Sequence, residues 1–451
     1  MSHYKPYPAY KESGVEWMGE VPAHWQLRRL KHMARFTGGG TPSRDNPQYW
    51  NGHIPWVSPK DMKAEVISGA EESITDEGLK GGSSSIVPAG RVLMVVRSGI
   101  LKHTIPVAIN DVDVALNQDM KAIWLDSNYL TEPYFLRFVQ GLNDELLKAW
   151  LKQGATVESI EQDYLSNSWM PVPPHEERER ILEFISREST RIDALVEKKA
   201  RFIELLREKR QALITQAVTK GVDPNVKMKD SGVEWLGEVP AHWTVLSFQR
   251  CVYIAEGQVN PEEQPYSSMM LVAPNHIESG TGRLLYTETA AEQMAESGKY
   301  LCRGGDVIYS KIRPALRKAC IAPVDCLCSA DMYPLRGDDS LLNHYLLWFL
   351  LSEPFSAFAV LEADRVAMPK INRESLNALK LALPPVEEQA NISRKLTQAT
   401  TRIDAVIEKT ERSIELLKER RSALITAAVT GQIDLRESAA AAGHIERRAT
   451  A

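Results

Sequence analysis

Residues 13–25 read SGVEWMGEVPAHW, and residues 231–243 read SGVEWLGEVPAHW. Twelve of the thirteen letters agree, at an offset of 218 positions. Three more pairs recur at an offset of 211: PPHEERERI (173–181) with PPVEEQANI (384–392), TRIDALVEKK (190–199) with TRIDAVIEKT (401–410), and KRQALITQAVTKGVD (209–223) with RRSALITAAVTGQID (420–434). The regions between these blocks, about 26–172 and 244–383, match only in outline, as where AGRVLMVVRSG (89–99) faces GGDVIYSKIRP (304–314). Self-similarity at so long a period is an internal duplication, not a solenoid. Drift would blur all segments alike. Here the scaffold segments agree and the regions between them differ, which predicts one frame, built twice, carrying two different domains.

The chain has 451 residues, 43% hydrophobic and 25% charged, which fits two or three ordinary globular domains. Its start, MSHYKPYPAY, has no apolar core segment of the secretory kind. Its longest apolar runs, such as YLLWFLL (345–351), fall far below the roughly 20 residues of a membrane span. The expectation is a soluble, cytoplasmic protein with no membrane contact. Five cysteines (Cys251, Cys302, Cys320, Cys326, Cys328) lie in the second half with no C-x-x-C pair, so they are read as small apolar residues, not zinc ligands. The net charge of −5 gives no bulk footprint for nucleic acid, so such a reading must rest on local features.

No Pro or Gly interrupts residues 175–220, 46 residues rich in good helix formers. As one helix this segment would run roughly 69 Å. A heptad register places Ile185, Ile192, Leu206 and Leu213 at one core position, with Leu195 and Phe202 at the other. The second copy supplies Ile403, Val406, Leu417 and Leu424. Lys199, Lys209, Thr410 and Arg420 interrupt these seams, while Val196, Ile203, Leu205 and Ile214 widen the apolar stripe. The expectation is that the two copies pair as an antiparallel coiled coil, with Gly221 and Gly431 ending each helix.

Each region between the frame segments mixes buried-strand runs (91–96, 306–312) with helical ones (132–151, 341–358), so both are expected to be α+β. Candidate DNA contacts lie in three kinds of loop. GGGTPSRDNPQYW (38–50) offers Ser43 and Arg44; RSGILKH (97–103) offers Arg97, Lys102 and His103; SKIRPALRK (310–318) offers Lys311, Arg313, Arg317 and Lys318. Arg and Lys pair with guanine edges or phosphates, and Gln118 or Asn275 suits adenine. Catalytic signatures are absent: no G-x-x-x-x-G-K-[ST], H-E-x-x-H or G-x-S-x-G occurs. NPQY (46–49) departs from the Asn-Pro-Pro-Tyr of adenine methyltransferases at Gln48, and no glycine-rich cofactor motif precedes it. On the residues alone, a scaffold that grips proteins with both domains remains an alternative to DNA recognition.

Taken together, the repeated SGVEW…PAHW segment, GGGTPSRDNPQYWNGHIPWVSPKDM (38–62), the paired PPHEERERI and PPVEEQANI, and the paired ALITQAVTKGVD and ALITAAVTGQID resemble the specificity subunits of type I restriction–modification systems. The match runs from about Tyr10 to Asp434. The resemblance implies a fold of two α/β-mixed target recognition domains in pseudo-two-fold arrangement, separated by two long helices. It implies domain bounds of 1–172 (first recognition domain), 173–222 (central helix), 223–383 (second recognition domain) and 384–434 (C-terminal helix); the Ala-rich remainder, 435–451, falls outside the resemblance and is expected to be a disordered tail. It implies double-stranded DNA as ligand, each domain reading one half of a split site, with two methyltransferase subunits and restriction subunits as partners. It implies no catalytic centre on this chain, with S-adenosylmethionine, ATP and Mg2+ belonging to the partners. The second domain departs from the pattern, having AEGQVNPEEQPYSSMM (255–270) where the first has its glycine-rich stretch.

Overall fold

The computed structural model describes residues 4–154, 156–363 and 369–436. The chain divides into two units, Met1–Lys198 with Ser413–Ala451, and Lys199–Arg412.

In the first unit, six strands carry the candidate loops: β1 (Ala34–Gly38), β2 (Trp50–Val57), β3 (Val92–Val95), β4 (Val107–Asn110), β5 (Ala115–Leu116) and β6 (Met120–Leu125). The main sheet has the order β1-β6-β3-β4, antiparallel throughout, with Val66–Ile67 added parallel to β4. Strand β3 reads VLMV and is buried at all four positions, the continuous apolar run expected of a strand covered on both faces. Its neighbours in the core include Phe135 and Phe138 of the helix Glu132–Gly141. A smaller sheet sets β5 parallel to the end of β2.

The second unit repeats this plan. Its strands are β7 (Val252–Ile254), β8 (Leu271–Val272), β9 (Lys299–Cys302), β10 (Val307–Ser310), β11 (Ala319–Ile321), β12 (Cys326–Cys328) and β13 (Met332–Gly337). The order β7-β13-β10-β11 matches β1-β6-β3-β4, and β8 runs parallel to β12 as β2 does to β5. Regions with little sequence in common thus share one α+β topology. All five cysteines are free and buried, and four of them pack in one apolar cluster with Ile308 and Met332. Burial pushes the Cys251 and Cys320 thiols up to about 12, so both stay neutral and behave as small apolar groups. Among the described residues no group of three or more His, Cys, Asp or Glu is placed to hold a metal ion. No single described helix is long and apolar enough to cross a membrane.

Two long helices, α1 (His175–Lys220) and α2 (Val386–Val429), run through both units. In the second unit Arg207 pairs with Glu411 and Arg210 with Asp404, each at 3.0 Å. Three residues forward on α1 is therefore seven backward on α2, so the segments are antiparallel. In the first unit Ile185 and Ile192 share a core with Leu424 and Ile425, and Arg421 Nε lies 3.3 Å from Asp193.

The register differs in one respect from the sequence expectation. Ile185, Ile192, Ile403 and Leu424 are buried, and Leu206, Leu213 and Leu417 are half-buried, as expected. Leu195, Phe202 and Val406, however, are exposed, and Val196, Ile203 and Ile407 turn inward instead. Between 185 and 210 the seam of α1 follows 185, 189, 192, 196, 199, 203, 206 and 210, buried or half-buried positions that alternate by four and three. The second core position therefore falls four residues after the first, not three. Ser189 and Arg210 occupy it, and a seam that admits polar residues hides its own register.

The repeated segment has a structural task. Gly14 and Gly19 take positive φ (71° and 61°), as do Gly232 and Gly237 (68° and 62°), and each pair closes a turn by a Ser N–H to Gly carbonyl bond. Each turn then delivers a fully buried tryptophan, Trp25 or Trp243. Trp25 Nε1 donates to Glu177 at the start of α1, which also meets His24 at 2.7 Å and accepts from the Tyr7 hydroxyl. At the end of α2, a Cβ on Gly431 (φ 72°) would lie 2.4 Å from Pro22 and 3.0 Å from Trp25. The second copy repeats the clasp: His242 meets Glu388 of α2 at 2.7 Å, and Trp243 lies against Gly221 at the end of α1. Each copy fastens the start of one long helix to the end of the other. Beyond it, Leu435 is buried and Arg436 bonds to Asp434; positions 437–451 of the expected tail lie outside the described residues.

Candidate nucleic-acid interface

Strand β1 runs into Gly39 and Gly40, whose lack of side chains is a packing requirement. A Cβ on Gly39 would lie 2.1 Å from the Leu116 carbonyl oxygen, and one on Gly40 would lie 1.9 Å from that of Gly82. Trp56 Nε1 donates to the Gly40 carbonyl at 3.0 Å. The glycines therefore anchor the loop on its neighbours, and the polar residues after them project. Ser43 is exposed, and its carbonyl accepts from Trp50 Nε1 at 3.1 Å. Arg44 lies 3.8 Å above the Trp50 ring and forms a two-pronged pair with Glu72. Their mutual hydrogen bonding raises the Arg44 pKa and lowers that of Glu72, so each holds the other charged. The Thr41 hydroxyl bonds to Gln118 Oε1, and Arg97 lies 3.7 Å from Asp119. The fold thus gathers Arg44, Gln118 and Arg97 at one end of the sheet. Lys102 and His103 close the short turn after β3 and are exposed.

In the second unit the loop after β10 is shaped by two non-glycine residues in the left-handed region, Arg313 and Arg317, both at φ 48°. Such backbone costs about 1–3 kcal/mol per residue and clusters at functional loops. They flank the turn Pro314–Leu316. Arg317 is tied to Glu353 at 2.8 Å, and Lys318 Nζ donates to the Pro274 carbonyl at 2.6 Å. That bond brings Asn275 to the loop, its amide donating to the Tyr286 hydroxyl at 2.7 Å. The Lys311 ammonium lies 5.2 Å from the Tyr333 ring centre. Arg313 is exposed, with no side-chain partner among the described residues.

The candidates therefore fall into two sets. Arg44, Arg97, Gln118, Asn275, Lys311, Arg317 and Lys318 are engaged within the protein and shape the loops. Ser43, Lys102, His103 and Arg313 present free polar groups outward, the disposition a base edge or phosphate requires. A cleft of about 1300 Å³ in the second unit lies along the helix seam instead, where Arg210 and Arg283 are already paired with Asp404 and Glu278. Sequence reasoning missed the Trp50–Trp56–Glu72 platform, because Glu72 reaches Arg44 across 28 residues. It also passed over the basic run Arg28–Arg35, which was legible as letters.

Comparison with known proteins bears on these loops. The family model described as the type I restriction modification DNA specificity domain matches residues 22–204 and 264–416. The specificity subunit of the Escherichia coli type I restriction enzyme EcoR124I/EcoR124II is 36% identical over 198 residues, 44% of this chain and 46% of that protein. The chain thus spans about half the length of this relative. The MjaIX specificity subunit of Methanocaldococcus jannaschii is 24% identical over 445 residues, 95% of this chain and 97% of that protein. Among solved structures, a chain from work on complex assembly and conformational transition of the type I R-M system aligns with a TM-score of 0.69 at 17% identity, covering 92% of this chain and 99% of that one. The HsdS subunit from Thermoanaerobacter tengcongensis aligns with a TM-score of 0.52 at 16% identity, covering 92% and 98%. At such identities the likeness is one of fold.

Proposed function

This chain belongs to the type I restriction modification DNA specificity family, and from that premise we propose that it is the DNA-recognition subunit of such a complex. Each unit reads one half of a split, asymmetric site in double-stranded DNA. The chain docks two methyltransferase subunits and, through them, restriction subunits, and it carries no catalytic centre. S-adenosylmethionine, ATP and Mg2+ serve the partners, and the work is done in the cytoplasm.

One observation carries this reading: the same topology is built twice, β1-β6-β3-β4 and β7-β13-β10-β11, with unrelated loops at corresponding places. A duplicated frame bearing two different loop sets suits two different half-sites. The outward groups Lys102, His103 and Arg313 supply the base and phosphate contacts, each good bidentate base contact contributing roughly 1–3 kcal/mol of discrimination. Both regions carry more acidic than basic residues, so the isolated chain binds DNA weakly and gains affinity from phosphate contacts made by its partners.

The test is a methylome. The chain is co-expressed with its neighbouring methyltransferase subunit in an unmethylated host, and methyladenine is mapped by sequencing. Two short defined halves around an unspecified gap are expected. No new methylation from a soluble, associated pair of subunits would overturn the reading.

A further inference from the structure

No Asp or Glu occurs between Glu20 and Asp45, yet Arg28, Arg29, Lys31, His32 and Arg35 fall within eight residues of one another. The segment Gln26–Arg29 is a short strand, Leu30–His32 a single turn, and β1 comes next at the edge of the main sheet. Leu30 and Met33 point into the core. Arg29, Lys31, His32 and Arg35 are exposed.

Arg28, Arg29 and Lys31 are held only by neutral groups. Lys31 Nζ donates to the Asn167 side-chain oxygen at 2.7 Å, and Arg29 to the same oxygen at 3.5 Å. Arg29 lies 5.2 Å over the Trp169 ring; Arg28 lies 4.2 Å over Tyr129 and donates to Gln26. None of the five forms an ion pair among the described residues, whereas Arg44, Arg91, Arg97 and Arg137 nearby in the unit each pair with a carboxylate. Asp126 lines the same cleft as Lys31 and Arg35 but forms an ion pair with neither, its Oδ1 accepting two bonds from Asn128. One carboxylate does not balance Arg28, Arg29, Lys31 and Arg35, so positive charge is left in excess.

The second unit supplies an internal control. Its strand Thr244–Ser247, turn Phe248–Arg250 and strand β7 rebuild the same frame at the offset of 218. The positions of Arg28, Arg29, Lys31, His32 and Arg35 are held there by Leu246, Ser247, Gln249, Arg250 and Tyr253. Four of the five positions carry no charge, and the frame forms all the same. The basic run is therefore not needed to build the fold.

We propose that the run Arg28–Arg35 is a phosphate-backbone clamp of the first unit, a second DNA contact separate from its base-reading loops and absent from the second unit. The inference rests on the DNA-recognition reading above. The partner chemistry comes from the side chains. An unpaired row of cations along an exposed strand and turn suits a regularly spaced polyanion, and phosphodiester contacts fix position without reading sequence. One half of the site is thereby gripped more firmly, and with more salt sensitivity, than the other.

The experiment uses the assembled methyltransferase complex carrying Arg29→Gln, Lys31→Gln, His32→Gln and Arg35→Gln together. Binding to a duplex bearing the methylated motif and to a scrambled duplex is measured from 50 to 200 mM salt. Both affinities are expected to fall at least about tenfold at low salt by the same factor, and the slope of log K against log salt to shrink by roughly 0.9 per lost contact. The methylated motif should not change. The charge-conserving variant Arg29→Lys with Arg35→Lys should keep the wild-type slope, because the slope counts charge; a slope lowered as far as in the four-fold variant would overturn a contact made through charge. An unchanged slope in the four-fold variant overturns the clamp, and so does loss of methyltransferase association at unchanged slope, which would mark an acidic protein surface as the partner. If the wild-type complex itself yields no motif, the recognition reading fails and the clamp falls with it.

Discussion

Arg210 Nε donates to Asp404 Oδ1 at 3.0 Å across the helix pair, and its other two nitrogens donate to the Gly280 and Thr281 carbonyls. Counting 211 residues on from Arg210 gives Arg421, and 211 back from Asp404 gives Asp193. This exchanged pair also meets, at 3.3 Å, but Arg421 Nε makes no aligned hydrogen bond there. The duplication has kept both crossings and buried only one. The Arg210 and Asp404 side chains are 7% and 17% exposed, against 31% and 60% for Arg421 and Asp193.

Asp404→Ala should therefore cost about 3–5 kcal/mol, because it strands a buried guanidinium. Asp193→Ala should cost no more than about 1 kcal/mol, as for a surface pair. Urea unfolding of the two variants makes the comparison. Equal losses would show that burial does not separate the crossings.

The corrected register is open to a similar contrast. Ile203 is 5% exposed and Phe202 is 46% exposed. Ile203→Ala should destabilise by about 2–5 kcal/mol. Phe202→Ala, the larger deletion, should stay below about 1 kcal/mol. Thermal unfolding with the reverse order would restore the register with Phe202 in the seam.

Gly40→Ala places a methyl group where the Gly82 carbonyl now sits, so the loop after β1 must shift. We expect a loss of about 1–3 kcal/mol in the first unit. The methylated motif should blur in one half-site while the other half stays sharp. An unaltered motif would separate this loop from recognition.

Arg313→Ala removes an exposed guanidinium held on strained backbone. Recognition should relax or vanish in the half-site opposite to the one altered by Gly40→Ala. Methylome sequencing of both variants reads this directly, and coincident effects on one half would contradict one unit per half-site.

The sequence displayed the duplication, the helix lengths and the α+β character of both regions, because these depend on local pattern and repeated letters. The second heptad position was hidden, since Ser189 and Arg210 stand in it and a polar residue reads as an interruption. The loops were located, but their working parts were not. Lys318 looks as free as Arg313 in the sequence, and only the Pro274 carbonyl, 44 residues away, distinguishes them. Glycines 39 and 40 read as a flexible polar loop and turn out to be points of backbone contact. The common strand order of the two regions was also out of reach, because it is written in hydrogen-bond pairing and not in shared residues.

The way the units divide the chain also sets an order of completion. The second unit is one unbroken stretch, Lys199–Arg412. The first is made from both extremities: Tyr10 bonds to the Gly431 carbonyl, Tyr134 to that of Val429, and Leu424 to Leu435 fill part of its core. A ribosome therefore finishes the later-encoded unit while the earlier one still lacks its last wall. For that interval the apolar side chains awaiting α2 stand open to water and to chaperones. A premature stop near position 420 would leave the second unit whole and the first without closure.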